Sequence, residues 1–173
     1  MGRSNAYWTT NLYTDAAVEP APTAPLEDLP ATVAARFRAL REGLMNIEGV
    51  AEQVRFMGPT WQWAWEYAIG NRKLCWLHFM RGGVDVTFTL SEGEEGRLTK
   101  GPKIAGALAR AIVEGQRTGP VKWCWLELAD RRAADAFLSL ARRKAEWLGE
   151  RPALRRAPRA QGGAAPADEV ETD

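Results

Sequence analysis

Apolar residues recur at three- and four-residue steps in three stretches of the chain, and at alternate positions between the first two. Val33, Phe37, Leu40, Leu44 and Ile47 fall on one face of a helix spanning residues 30–47. Pro30 suits its first turn and Asp28 a cap. Ile104, Leu108, Ala111 and Ile112 repeat the pattern behind Pro102, with Gly115 as a stop. Ala134, Phe137, Leu138, Ala141, Ala145 and Leu148 give a third helix, opened by Asp130 and closed by Gly149. Its other side, with Arg131, Arg132, Arg142, Arg143 and Lys144, reads as a solvated basic face. Residues 60–69, 72–81 and 84–90 alternate with period two, and Gly70-Asn71 and Gly82-Gly83 between them are tight-turn pairs. They predict a three-stranded antiparallel meander, with residues 121–128 as a fourth strand and 51–57 as a short fifth. The expected fold is α+β: an antiparallel sheet with about three helices packed mainly on one face.

Two-residue turns set a register and so divide the strands into faces. With Gly70-Asn71 as the first loop, Tyr67 faces Leu74, Trp65 faces Trp76, Trp63 faces His78 and Trp61 faces Met80. With Gly82-Gly83 as the second, Arg81 pairs with Val84, His78 faces Thr87 and Met80 faces Asp85. Opposed residues share a face. One face then collects Trp61, Trp63, Trp65, Tyr67, Leu74, Trp76, His78, Met80, Asp85, Thr87 and Thr89. The other is aliphatic, with Ala64, Cys75, Leu77, Phe79, Val84, Val86, Phe88 and Leu90, and it also carries Gln62 and Glu66. Strand 121–128 repeats the division, with Trp123, Trp125 and Glu127 alternating with Cys124, Leu126 and Leu128.

The ends differ from the middle. Residues 1–29 read as a flexible Pro/Ala-rich arm, in which Tyr7, Trp8, Leu12 and Tyr13 are large enough to dock somewhere. Residues 30–149 form the single domain, and 150–173, basic and then acidic, read as a disordered tail. The chain has 173 residues, enough for a core without staples. Lys+Arg is 23 against 22 for Asp+Glu, a balance that argues against a nucleic-acid binder. Two cysteines and one histidine give neither a disulfide framework nor a metal site, and Cys75 and Cys124 read as small buried hydrophobes. The chain shows no secretory signal and no apolar run near the ~18 residues a spanning helix needs. The expectation is a cytoplasmic protein with no membrane partner, metal or cofactor.

Eight tryptophans change this picture. A slab of indoles has three readings: a core covered by a helix or the arm, a ligand cleft of stacking walls, or an interface between subunits. His78, Asp85 and two threonines among the indoles favour the cleft. Trp61, Trp63, Trp65, Tyr67, Trp76, Trp123, Trp125 and Glu127 are its candidate ligand-binding residues. For an enzyme, the candidates are His78 as general base with Asp85 fixing its tautomer, and Glu66 as a carboxylic acid raised by its aromatic surroundings. A structural histidine and an arginine-paired Glu66 are the plainer readings of the same residues.

The segments Thr60-Trp61-Gln62-Trp63-Ala64-Trp65-Glu66-Tyr67, Arg72-Lys73-Leu74-Cys75-Trp76-Leu77 and Val84-Asp85-Val86-Thr87-Phe88-Thr89-Leu90 resemble the bacterial domain of unknown function 3788 family over residues 50–148. The resemblance implies a small α+β protein with an aromatic alternating strand, and it brings no catalytic residues. The chain departs from that pattern at residues 91–100 and at Trp123-Cys124-Trp125. Looser still is a likeness in architecture to drug-sensing GyrI-like proteins, which implies an aromatic ligand pocket. The expected function is small-molecule binding in a tryptophan-rich cleft, sequestering or sensing a planar or apolar metabolite or toxin. A cofactor-free hydrolase or cyclase built on the same residues, and a homodimerisation module using the aromatic face, stay open beside it.

Overall fold

The computed structural model describes residues 5–150. Six strands form one antiparallel sheet: β1 (Val50–Phe56), β2 (Trp63–Ile69), β3 (Arg72–His78), β4 (Asp85–Ser91), β5 (Gln116–Thr118) and β6 (Val121–Glu127), in the order β1-β2-β3-β4-β6-β5. The helices are α1 (Asn5–Trp8), α2 (Pro25–Asp28), α3 (Ala31–Met45), α4 (Glu92–Lys100), α5 (Gly106–Val113) and α6 (Arg131–Glu150). The α+β class and the three long apolar-faced helices are as expected. The helix count is higher because two single-turn helices in the arm and a polar helix, α4, lie outside the apolar pattern.

The inner face of the sheet meets α3, α5 and α6. Phe37, Leu40 and Leu44 of α3, Leu108 of α5, and Phe137 and Leu140 of α6 close over Leu77, Val86, Phe88 and Leu126. Lys144, expected on the solvated face of α6, is buried instead. Its ammonium donates to the Thr89 carbonyl and pairs with Glu94 at 3.1 Å. That pair ties α6 to α4, whose start is a capping box between Ser91 and Glu94.

The first hairpin turns at Gly70, which sits at φ 55, and Ile69 pairs with Arg72 as the turn predicts. A β-bulge between Tyr67 and Ala68 then gives β3 one extra residue. Beyond it Tyr67 opposes Cys75 and Trp65 opposes Leu77, so every later side chain changes face. Trp63, Trp65 and Tyr67 therefore belong to the inner core, and Ala64 and Glu66 to the outer face. This corrects the expected division. Both faces of β2 are buried, so its sequence shows no polar side to fix the register.

The second connection is longer than two residues. His78 pairs with Asp85 and Trp76 with Thr87. The register differs from the expected one by two, which keeps each residue on its face. Phe79 and Met80 leave β4 and pair with the arm instead. Leu12 N–H donates to the Phe79 carbonyl, and Asn11 bridges Met80. The arm meets the sheet at several points: the indole N–H of Trp63 donates to the Asp15 carbonyl and that of Trp65 to the Pro22 carbonyl, while Tyr13 lies against Phe79 and Trp65. All but the first residue of the expected tail, 150–173, lies outside the described residues.

Candidate functional site

On the outer face, antiparallel pairing places His78, Asp85 and Glu127 side by side across β3, β4 and β6, with Trp76, Thr87 and Trp125 in the next row. Thr89 and Trp123 follow. Trp61 joins them from the loop before β2. Gln62, at φ 58, takes the chain out of strand alternation there, and its N–H and carbonyl bond Gly58 and Met57. From the arm, α1 adds Tyr7 and Trp8.

These rings form a continuous chain. Trp76 stacks on Trp123 at 5.5 Å between centroids, Trp123 meets Trp61 at 5.7 Å, and Trp61 stacks on Trp8 at 5.9 Å. Trp8 meets Trp125 edge to face at 4.4 Å, and Trp125 lies parallel to the His78 ring at 5.6 Å. Such contacts are worth about 0.5–1.5 kcal/mol each beyond the area they bury. A cavity of about 780 Å³ opens against the chain. Trp8, Trp61, Trp123 and Trp125 wall it, with Tyr7, Arg81, Thr87, Gln116 and Thr118 among its polar lining.

Two titratable groups lie behind the wall. Asp85 is buried, and its carboxylate accepts the Tyr7 hydroxyl and the Trp125 indole N–H, the latter at 2.9 Å. Arg81 sits over the Tyr7 ring at 5.0 Å. His78 is 1% exposed. Its Nε2 meets Thr87 Oγ1 at 2.9 Å, while Nδ1 has no hydrogen-bond partner among the described residues. Burial pushes its pKa down to about 3, so the ring is neutral. The expected dyad is thus not joined: the two residues are register neighbours, but the carboxylate is held by Tyr7 and Trp125. Cys124, which also lines the cavity, is a protonated thiol, pushed up to about 11 by burial.

No family model, curated protein or solved structure matches the chain. The chemistry of the cleft is therefore read from its own side chains. Of the expected ligand-binding residues, Trp61, Trp123 and Trp125 line the cavity and Trp76 supports it from behind Trp123. Glu127 is exposed at the end of β6, beside Asp85. Glu66 is buried on the outer face and paired with Lys73 at 2.6 Å and Arg55 at 3.7 Å, and it accepts the Trp76 indole N–H. Its cationic partners are these two and not Arg72 or Arg81. Trp63, Trp65 and Tyr67 lie across the sheet from the cleft. Tyr67 donates to Glu52 at 2.7 Å, and Glu52 holds Arg41 of α3 through two bonds of 2.8 Å.

Sequence reasoning missed Trp8, Tyr7, Arg81, Gln116 and Thr118 as cavity residues. For the first two the signal was present, since paired aromatics in a Pro/Ala arm need a place to dock. Arg81 carries no signal beyond the glycines after it. Gln116 and Thr118 lie in a three-residue strand with no buried side chain, which apolar patterning does not register.

Proposed function

We propose that this protein binds a planar, largely apolar small molecule in the tryptophan-walled cleft. The observation that carries the reading is the cavity of about 780 Å³ with four indoles in its wall, three of them only half-buried. A close-packed core does not leave large aromatic surface facing a space of that size. Stacking favours flat rings without demanding one hydrogen-bond pattern, while Arg81, Thr87 and Gln116 orient a polar edge. Sequestering or sensing such a molecule is the role that fits a site in which the buried His78 and Asp85 stand behind the wall and not at its surface.

Intrinsic tryptophan fluorescence tests this directly. Quenchable emission that shifts with planar compounds, and that loses about tenfold in affinity in Trp123→Ala or Trp61→Ala, is the expected result. Emission that no compound perturbs, from a protein whose sedimentation depends on concentration, would replace the cleft by an interface between copies.

A further inference from the structure

We propose that Trp8 is a displaceable wall of the cleft, and that a free indole-like ring bearing an N–H or O–H takes its place and hydrogen-bonds to His78 Nδ1. The inference rests on the cleft reading above and narrows it to a position and a ligand class.

The first observation is the company Trp8 keeps. Its indole is buried, stacked on Trp61 and edge-on to Trp125, Tyr7 and His78. Met80 belongs to the same cluster. That is a cage for one flat bicyclic ring. Trp8 is held through its own backbone by a turn in which Asn11 N–H returns to the Trp8 carbonyl, and through its neighbours in the arm. The tether closes through the Tyr7 hydroxyl on Asp85 and the Asn11–Met80 bridge.

The second observation is the unpartnered nitrogen of His78. A buried polar atom without a partner costs on the order of 1–3 kcal/mol and is rare enough to need a reason. With Nε2–H donating to Thr87, Nδ1 is a bare acceptor; the other tautomer buries an N–H without an acceptor, the less common defect. The missing group is thus a donor. Trp8 meets the imidazole at an interplanar angle of 77° and makes no hydrogen bond to it. The tethered ring fills the shape of the site and leaves its hydrogen bond unmade, whereas an untethered ring is free to turn its donor toward Nδ1. The charged and titratable groups around His78 are Asp85 on β4, Glu127 next to it on β6, Tyr7 and Arg81 above, and Glu66 behind Trp76. The imidazole bonds none of their side chains: among the described residues its one hydrogen bond is to Thr87.

The test compares indole and 1-methylindole on the wild-type full chain, on Trp8→Ala and on Tyr7→Phe. Calorimetry gives the affinities, and NMR follows His78, the only histidine in the sequence, as a single reporter. Trp8→Ala should bind indole about tenfold or more tightly than wild type, as expected when a closed state is populated about nine-tenths of the time. Indole should move the His78 Nδ1 resonance, and 1-methylindole, which lacks the donor, should bind several-fold less tightly. Tyr7→Phe keeps every ring, loosens the tether, and should give a gain of a few-fold even if Trp8→Ala folds poorly. Equal affinity of wild type and both variants for indole, or of the two ligands for one variant, would overturn the proposal while leaving the cleft standing. Absence of binding to all three proteins would remove the cleft with it.

Discussion

Trp65 on the inner face of the sheet and Trp123 on the outer one are both indoles in the middle of a strand, and the chain treats them differently. Trp65 is fully enclosed, packed edge to face on Phe79 at 4.6 Å and on Tyr13, and its N–H is met by the Pro22 carbonyl. Trp123 is half-buried, lies between Trp61 and Trp76, and turns the rest of its surface to the cavity. The inner face is closed by helices and by the arm, and buried polar tips there bond one another, as in the Arg41–Glu52–Tyr67 group. The outer face buries Glu66 under Lys73 and Arg55 on one side and takes Tyr7 and Trp8 from the arm on the other, with the cavity opening beside them. The same residue type is core where the chain supplies both walls and hydrogen-bond partners, and stays half-exposed where it supplies one wall.

The sharpest way to break this comparison is to truncate one ring from each face. Trp65→Ala should lose about 3–5 kcal/mol of stability in urea unfolding, and Trp123→Ala less than about 1.5 kcal/mol with a selective loss of ligand affinity. Equal losses would mean that both faces are core. Acid is the next lever. Unfolded, His78 takes a proton near its ordinary pKa of 6.5, but folded only near 3. Below pH 6.5 protons therefore favour the unfolded chain, and stability should fall by about 1.4 kcal/mol per unit until pH 3. His78→Gln, which keeps a donor for Thr87, should flatten that slope in urea midpoints measured from pH 7 to 4.

A smaller effect is expected under α3. Glu52→Ala removes the acceptor shared by Tyr67 and Arg41, and should cost about 1–3 kcal/mol with ligand affinity unchanged. The smallest is at the tip of the second connection, where Arg81 holds a left-handed φ of 52. Arg81→Gly should leave the melting temperature level or slightly higher, within about 1 kcal/mol, while weakening binding of a ligand whose polar edge it orients.

The elements with one apolar stripe were legible. Phe37, Leu40 and Leu44 announce α3, and Phe137 and Leu140 announce α6, because each helix buries one side only. Where both sides are buried the pattern loses its information. Six consecutive buried residues of β2 look the same in either register, so the bulge at Tyr67 went unseen, and with it the face of three aromatic candidates. Helix α4 failed for the opposite reason: it buries no residue, and only the Ser91–Glu94 capping spacing betrays it. The outer-face trio of His78, Asp85 and Thr87 survived a wrong turn because its error was an even number of residues. What the sequence could not show is the arm's position, since a contact between Trp8 and Trp125 leaves no local periodic trace.

That contact has a consequence for the living history of the molecule. Tyr7 and Trp8 emerge from the ribosome long before Trp125, the ring both of them touch, has been added. Until then the aromatic residues of the arm have no β6 to rest on, and the outer surface of β3 and β4 is bare to the cell. The inner layer can begin to assemble during synthesis as α3 meets the first strands. The cleft cannot form until β6 has been made, and the inner layer closes later still, when Phe137 and Leu140 of α6 follow.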